Sequence, residues 1–389
     1  MNSTSYMAGP GVGRLQRRAL VVGLAALALC IIGAFISPAQ FFRSYLLGYL
    51  FWAGVTLGCL AILMLQHLSG GAWGMVIRRM LESGSRTLPL MALLFVPLIP
   101  GIRQLYAWAR PDNAIPHLAA YLNVPFFLFR AVLYFGVWLS IAYFLNRWSR
   151  EQDRTGNLRL ARRLQMLSGP GLVLYGLTAT FAAIDWVMSL EPHWSSSIFG
   201  ILVIGGQVLS AMAFIIAVTV LLAQHEPLSG VLLPGHFHDL GKLLLAFVML
   251  WAYFAFSQLL IVWSGNLPEE IPWYLHRLHG GWGWVGVLLI LFHFALPFVL
   301  LLSRDLKRNA RALALLAVAV IFMRLVDLFW LTAPEFWPGR FHLHWTDIAA
   351  PVGIGGVWLA VFAWQLRGWP LLPIGDRYLE KALEHGQGH

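Results

Sequence analysis

The sequence predicts an all-α, polytopic membrane protein with about ten transmembrane helices, arranged as two four-helix bundles in a parallel repeat plus two flanking helices. Hydrophobic residues make up 59% of the 389 residues and charged residues 11%, about half the charged fraction of an ordinary soluble domain. Ten apolar stretches are long enough, or nearly so, to cross about 30 Å of hydrocarbon. Two short motifs also recur in the same order along the chain, which indicates an internal repeat.

The apolar stretches follow one another with short connections, so we expect no water-soluble domain. The first follows three arginines and lacks a convincing cleavage site, which favours a retained helix over a signal peptide. The third contains Pro89, Pro97 and Pro100 and is short, so we expect it to be kinked or only partly spanning. The stretches cover 18–36, 45–65, 87–101, 124–146, 171–190, 198–223, 241–264, 282–303, 311–331 and 346–366.

The distribution of lysine and arginine predicts the orientation. If the N-terminus is cytoplasmic, 20 of the 27 basic residues fall in cytoplasmic segments, five on the other side and two within spans. This count places Arg78, Arg79 and Arg86 in a cytoplasmic loop between helices 2 and 3. The positive-inside rule then predicts a multi-pass membrane protein with both termini cytoplasmic. It also explains the net charge of +10 without nucleic-acid binding, which we do not expect.

The internal repeat rests on two matches. Helices 2 and 6 both end in Gln-His followed shortly by Leu-Ser-Gly, at 66–70 and 224–230. Helices 5 and 9 carry Asp185 and Asp327, each followed seven residues later by proline and then by tryptophan. Four helices separate the copies, so the two halves point the same way across the membrane. The predicted units are helix 1 with its preceding segment (1–44), the first bundle (45–197), the second bundle (198–345), and helix 10 with the tail (346–389).

Five charged residues fall in or beside apolar spans, all in the predicted outer half of the membrane. Arg130 and Asp185 lie at matching depth on consecutive helices, so they are expected to pair. Arg324 and Asp327 are three residues apart on one helix face and can pair directly, and Asp347 begins helix 10. Charge at this depth is costly and often functional. One interpretation is a polar cavity for protons or a quinone head group; the other is structural ion pairs between helices.

Histidines supply the remaining candidates for a proton path. His293 lies near the centre of helix 8, where a proton relay and a hydrogen bond to a neighbouring helix are both open. His67 and His225 end the repeated helices, as mouths of proton half-channels or as helix caps. The Gly-His-Phe-His-Asp run at 235–239 is expected in a cytoplasmic loop and supplies too few ligands for a metal site. The two cysteines fit no haem or cluster motif, so we expect no metal in this chain.

Two segments, 51–98 and 293–309, together with the final helices, resemble the NrfD/polysulfide-reductase-like membrane subunits of the ActF type, found in bacterial alternative complex III. The resemblance extends over essentially the whole chain. It implies the same fold of two four-helix bundles with outer helices. It also implies membership of a quinol-oxidising respiratory complex that passes electrons to cytochrome c or an equivalent periplasmic carrier. The resemblance therefore implies that the chain lies in the bacterial inner (cytoplasmic) membrane.

The resemblance further implies which partners surround the chain. Beside membrane lipid, they are a second NrfD-like membrane subunit, an iron–sulfur subunit and c-type cytochrome subunits. Those partners would hold the iron–sulfur clusters and haem c, while this chain would bind no metal. The resemblance leaves undecided whether this chain forms a quinone pocket. Proton conduction would then fall to Asp185, Asp327, His67, His225 and His293. The alternatives are a stand-alone secondary transporter, and a non-catalytic scaffold subunit of the same complex.

Overall fold

The computed structural model describes residues 6–113, 115, 118–376 and 378–385, and all regular secondary structure in that part of the chain is helical. It contains ten helices long and apolar enough to cross a membrane, which confirms the predicted fold class. They are α1 (Pro10–Ile36), α2 (Pro38–Ser69), α3 (Ala72–Leu105), α4 (Val124–Thr155), α5 (Leu158–Leu190), α6 (Phe199–Ala223), α7 (Pro234–Gly265), α8 (Trp282–Leu302), α9 (Ala310–Phe336) and α10 (Thr346–Arg367).

Local sequence explains where several of these helices begin. Asn123 accepts a hydrogen bond from the Phe126 amide at the start of α4. Asn309 accepts from the first amides of α9 in the same way, and both are the short polar side chains that favour the N-cap. Between α4 and α5 the chain turns through Gly156, whose φ of +60° is left-handed and costs glycine little. These caps fix the short connections that hold consecutive helices antiparallel.

Helices α2 and α6 form the centre of the molecule. The most apolar window of α2 is 94% buried and that of α6 is 72% buried, against 28% for α7 and for α8. Gly58 lets the two central helices approach closely, because a Cβ there would collide with the Gln207 carbonyl. Small residues at such crossings are typical of membrane helices, which associate through close packing. The first helices of the two predicted repeats therefore pack against each other.

The remaining helices surround this centre. Helix α10 packs against α2 on one side and α1 on the other, and α1 and α10 approach closely at Gly23 and Gly356. Helix α5 contacts α2, α4 and α6, while α9 contacts α6 and α8. Because α2, α5 and α6 contact one another across the middle, the division into two bundles at residues 197 and 198 stays a prediction.

The first described residues and the segment after α10 meet at one end of the helical assembly, called here the terminal end. The Leu371 amide donates to the Tyr6 carbonyl there, at 2.8 Å. The connections after α1, α3, α5, α7 and α9 lie at the other end, called here the opposite end. A short helix, Ile271–Leu278, lies in the connection between α7 and α8 at the opposite end.

Helix α3 begins at Ala72, fifteen residues before the apolar stretch that predicted it. The expected loop containing Arg78, Arg79 and Arg86 is wrong: Arg78 and Arg79 are helical and only 2% exposed. The α-helix is interrupted near Arg86, and within the predicted stretch it changes to a 3-10 helix at Val96–Gly101. Two of its three prolines lie in that segment, where their missing amides weaken regular α-helix.

The Gly-His-Phe-His-Asp run at 235–239 also differs from expectation, because it forms the first turns of α7 and not a loop. His236 is buried there, accepting from the Leu233 amide through Nδ1 at 3.1 Å and contacting the Ala382 carbonyl through Nε2 at 3.0 Å. One ring nitrogen therefore caps the start of α7, and the other connects α7 to the C-terminal segment.

Candidate functional site: charged centres within the helices

The first charged centre joins α4 to α5. Arg130 donates from Nε and Nη2 to the two carboxylate oxygens of Asp185, each at 2.8 Å, and the predicted ion pair is confirmed. The Tyr134 hydroxyl donates to Asp185 Oδ2 at 2.7 Å. Asp185 is fully buried and Arg130 is 5% exposed. Two-pronged arginine–carboxylate contacts are among the strongest in proteins, so this centre is firmly fixed.

The loop before α4 closes over the Arg130 guanidinium. Arg130 Nη1 donates to the Tyr121 carbonyl at 2.8 Å, and its Cζ lies 3.9 Å from the Tyr121 ring centroid and 4.4 Å from that of Phe126. Burial raises the pKa of the Tyr121 phenol to about 12, and the Asp185 carboxylate acts in the same direction. Tyr121 therefore stays neutral at physiological pH, and the aromatic faces stabilise the buried cation.

The second charged centre lies in the other half of the chain. The predicted Arg324–Asp327 ion pair is confirmed on α9, where Arg324 Nη1 donates to Asp327 Oδ2. Trp251 of α7 donates from Nε1 to the same oxygen at 3.1 Å. The exposed fractions of Arg324 and Asp327 are 2% and 3%. Three helices therefore meet here, because the Trp251 ring also contacts His293 of α8, with centroids 4.3 Å apart and planes at 75°.

His293 is fully buried, and neither of its ring nitrogens has a hydrogen-bond partner within the described residues. It lies in a π-helical segment, Leu289–Ala295, that interrupts α8. Such segments are rare and occur often at functional sites. In the described part of the chain, His293 therefore reaches the Asp327 carboxylate only by way of Trp251. A neutral imidazole without a partner has one nitrogen free to accept a proton and one to donate.

A small cavity adjoins the second centre. Its volume is about 20 Å³, and its lining includes Arg324, Gln207, Ser210 and Trp186, the last being the neighbour of Asp185. A cavity above about 10–15 Å³ with polar groups can hold one water molecule. Arg324 reaches it across Gly206, where a Cβ would collide with the guanidinium. The cavity therefore touches the second centre through Arg324 and lies beside the residue that follows Asp185, and it is too small for a quinone ring.

The two centres differ in how completely the carboxylate is held. Asp185 uses both oxygens and accepts three hydrogen bonds. Within the described residues, the hydrogen bonds of the Asp327 carboxylate both go to Oδ2. The arginine also comes from a neighbouring helix in the first centre and from the same helix in the second. The repeated aspartate is therefore tightly constrained in one copy and less so in the other.

Asp347 occupies a third position, in the first turn of α10. Its Oδ1 accepts from Gln40 at 3.0 Å and from Ser44 at 2.6 Å, and its Oδ2 accepts from the His344 amide at 2.8 Å. A carboxylate at a helix N-terminus is favoured by the helix dipole. Asp347 thus attaches the start of α10 to α2, and it shares no hydrogen bond with the Arg324–Asp327 pair.

A polar network at the terminal end was missed by sequence reasoning. Glu82 accepts from Arg78 Nε at 3.1 Å, from Arg79 Nη1 at 2.5 Å and from the Ser149 hydroxyl at 2.5 Å. Arg78 also pairs with Asp376 of the C-terminal segment at 3.0 Å. The Arg-Arg-x-x-Glu spacing puts these three charged groups on adjoining positions of one helix, and this was the available signal.

His67 lies beside that network and His225 does not. A cavity of about 880 Å³ at the terminal end is lined by His67, Arg78, Gln152 and Asp376, among others, and His67 Nε2 is buried without a hydrogen-bond partner in the described residues. His225 is exposed, and its Nδ1 lies 3.3 Å from the Leu221 carbonyl. The capping interpretation therefore describes His225, whereas His67 contacts a polar cavity.

Another cluster missed by sequence reasoning lies at the opposite end, where candidate ligand atoms of Glu191, His276 and Glu335 lie within 4.8 Å of one another. Arg277 Nη1 is 3.6 Å from Glu191 and its Nη2 donates to the Leu331 carbonyl at 2.9 Å. Burial lowers the pKa of Arg277 to about 10, against the opposing effect of the two glutamates. Arg277 stays charged at physiological pH, so its positive charge offsets one of the two carboxylates that a bound cation would need.

The described structure thus brings together Arg130 with Asp185, and Arg324 with Asp327 near His293. It leaves Asp347, His67 and His225 in three separate environments. Comparison with protein-family models and with curated proteins gives a plain result. No family model and no curated protein matches this chain.

Proposed function

We propose that this chain is an integral subunit of a bacterial respiratory quinol:cytochrome c oxidoreductase, or of one that uses an equivalent periplasmic carrier, and that it conducts protons. The proposal places it in the inner membrane with both termini cytoplasmic. Its sequence support is the resemblance of segments 51–98 and 293–309 to ActF-type subunits. The structural observation that carries it is a buried cluster in which Trp251 of α7 contacts both the Arg324–Asp327 pair of α9 and the unpartnered His293 of α8.

The cluster has the groups that a proton relay needs. Asp327 can bind and release a proton, Arg324 offsets its negative charge, and His293 has two unpartnered nitrogens through which a proton can pass. The 20 Å³ cavity beside Arg324 accommodates a water molecule, which favours proton transfer over quinone binding at this position. Ionisable groups at such depth are costly to retain and commonly mark proton routes.

A route to each end can be proposed from the same helices. Glu335 lies eight residues beyond Asp327, about 12 Å along α9 toward the opposite end, and it meets Glu191 there. At the terminal end, the 880 Å³ cavity beside His67 would admit water. In this proposal His67 lies at the cytoplasmic mouth, Asp327 and His293 at the middle, and the two glutamates at the periplasmic mouth.

Purification of the native assembly tests the proposed membership. The chain carries an affinity tag in its own host, and the complex is isolated in mild detergent. We expect c-type cytochromes, an iron–sulfur subunit and a second membrane subunit to purify with it, together with quinol:acceptor activity. Isolation of the chain alone under conditions that preserve other respiratory complexes would contradict the proposal.

A scaffold role is the second candidate, and the Arg130–Asp185 pair favours it. Every oxygen of Asp185 is bonded, so that pair is suited to holding α4 against α5. The discriminating variant removes both charges of the second centre, Arg324→Gln with Asp327→Asn. Normal turnover and normal proton release in the assembled complex would favour the scaffold.

A further inference from the structure

A groove at the terminal end is lined by basic residues. It has a volume of about 810 Å³ and lies between α3, α4 and the end of α10. Its lining includes four arginines and one glutamate, Glu151, so its formal charge is strongly positive. The arginines are Arg86, Arg147, Arg150 and Arg154.

Two of these arginines have unused hydrogen-bond donors. Arg86 donates to the Glu82 carbonyl and to Ser83, but its Nη1 is buried without a partner in the described residues. Arg150 Nε is likewise buried without a hydrogen-bond partner in the described residues. Buried donors without partners are costly, and the two arginines that carry them both line the groove. The groove is therefore complementary to an anion in charge and in hydrogen bonding.

The lining changes from apolar to basic along α4. Leu139 and Tyr143 lie toward the middle of the helix, and Arg147, Arg150 and Arg154 follow at three- and four-residue spacing, so all five share one face. The stripe is about 22 Å long at 1.5 Å per residue. This gradient matches a lipid, with an acyl chain along the apolar part and a head group at the arginines.

Trp369 strengthens the assignment to a lipid. Arg150 Cζ lies 4.6 Å from the Trp369 ring centroid and Arg154 Cζ lies 5.9 Å from it. The indole restrains these guanidinium groups without using their in-plane donors. Tryptophan and arginine are also the residues found where a membrane helix meets the head-group region.

We propose that this groove binds an acidic phospholipid from the leaflet at the terminal end. Its phosphate would lie among the four arginines, and an acyl chain would lie along Leu139 and Ala142. Basic pockets between transmembrane helices bind such head groups, and arginine suits phosphate because it offers paired donors. A diphosphate lipid of the cardiolipin type is expected to bind more tightly than phosphatidylglycerol, and phosphatidylethanolamine least.

The test uses the purified full-length chain, or its native assembly, stripped of lipid in detergent and titrated with each of the three lipids. Bound lipid is counted by native mass spectrometry. The variant Arg147→Gln/Arg154→Gln changes two exposed residues and is expected to weaken cardiolipin binding at least tenfold, since each basic contact near a membrane surface contributes appreciably. The matched control, Arg159→Gln/Arg163→Gln, makes the same charge change on exposed residues outside the groove and should leave binding unchanged.

Three results would overturn the proposal. Equal retention of the three lipids would show that the arginines select no acidic head group. Full competition by millimolar inorganic phosphate would identify a soluble anion as the ligand. Loss of a protein subunit from the assembly in the groove variant, with lipid binding unchanged, would identify the groove as a protein interface.

Discussion

The first prediction concerns Asp185, because its bonding identifies it as a structural carboxylate. Replacing it with asparagine removes the negative charge and leaves the Arg130 guanidinium, 5% exposed, without its counterion. Breaking a buried ion pair by removing one partner costs about 3–5 kcal/mol. Asparagine keeps one acceptor oxygen for Arg130 or Tyr134, so we expect the lower part of this range, about 3 kcal/mol.

Thermal unfolding of the purified chain in detergent, followed by tryptophan fluorescence, measures this effect. A loss of about 3 kcal/mol corresponds to a Tm lower by about 6 °C, at roughly 2 °C per kcal/mol for a large chain. Exposed Asp112 at the same end provides the matched control, and Asp112→Asn should leave Tm unchanged. The double variant Arg130→Met/Asp185→Leu should regain most of the loss, because it leaves no unpaired buried charge. An unchanged Tm for Asp185→Asn, or a double variant as unstable as the single one, would refute the reasoning.

Three further predictions concern the second centre and the terminal end. Gly206→Ala should lower stability by about 2 kcal/mol by displacing Arg324, whereas Gly176→Ala, whose Cβ would meet nothing within 4 Å, should raise it slightly in a thermal scan. Glu82→Gln should lower stability by about 3 kcal/mol because it leaves buried arginines under-neutralised, measured as the loss of monodisperse chain on heating. His293→Phe should raise the free energy of unfolding by about 1 kcal/mol, and with it Tm, since an apolar ring removes unpartnered buried nitrogens. The same variant should slow proton transfer in the assembled complex.

The controls for these variants make the same kind of substitution on a neighbouring helix. Glu151→Gln is exposed on α4 and should not change the stability, so a similar loss there would remove the argument made for Glu82. Destabilisation by Gly176→Ala as large as that by Gly206→Ala would show that any added methyl group is harmful. A lower Tm for His293→Phe would mean that the imidazole has a structural partner.

The fold was predictable from the sequence because a bilayer restricts the chain so strongly. Ten apolar stretches required ten helices, and the pairs Arg130–Asp185 and Arg324–Asp327 followed from depth and helical spacing alone. Such arguments work when the partners lie on one helix or on consecutive antiparallel helices. They need no knowledge of how distant helices pack.

Features that depend on distant packing were not predictable. Arg78 and Arg79 were assigned to a loop because their segment is charged, yet contacts from α4 and the C-terminal segment neutralise and bury them. The contact between Trp251 and His293 depends on α7 and α8 meeting α9, which no sequence period specifies. Glu191 and Glu335 are far apart in sequence and join only when the loop after α5 meets the end of α9. The π-helical segment at His293 likewise has no sequence signal that we recognised.

Proton release measured during quinol oxidation tests the central claim most directly. The unaltered assembled complex is compared with complexes that carry Asp327→Asn or Arg324→Gln/Asp327→Asn. The double variant leaves no unpaired buried arginine that could cause misfolding. We predict that both variants assemble, and that either the number of protons released per electron or the rate of turnover falls at least tenfold. Full turnover with unchanged proton release in the assembled double variant would contradict the claim that this centre conducts protons.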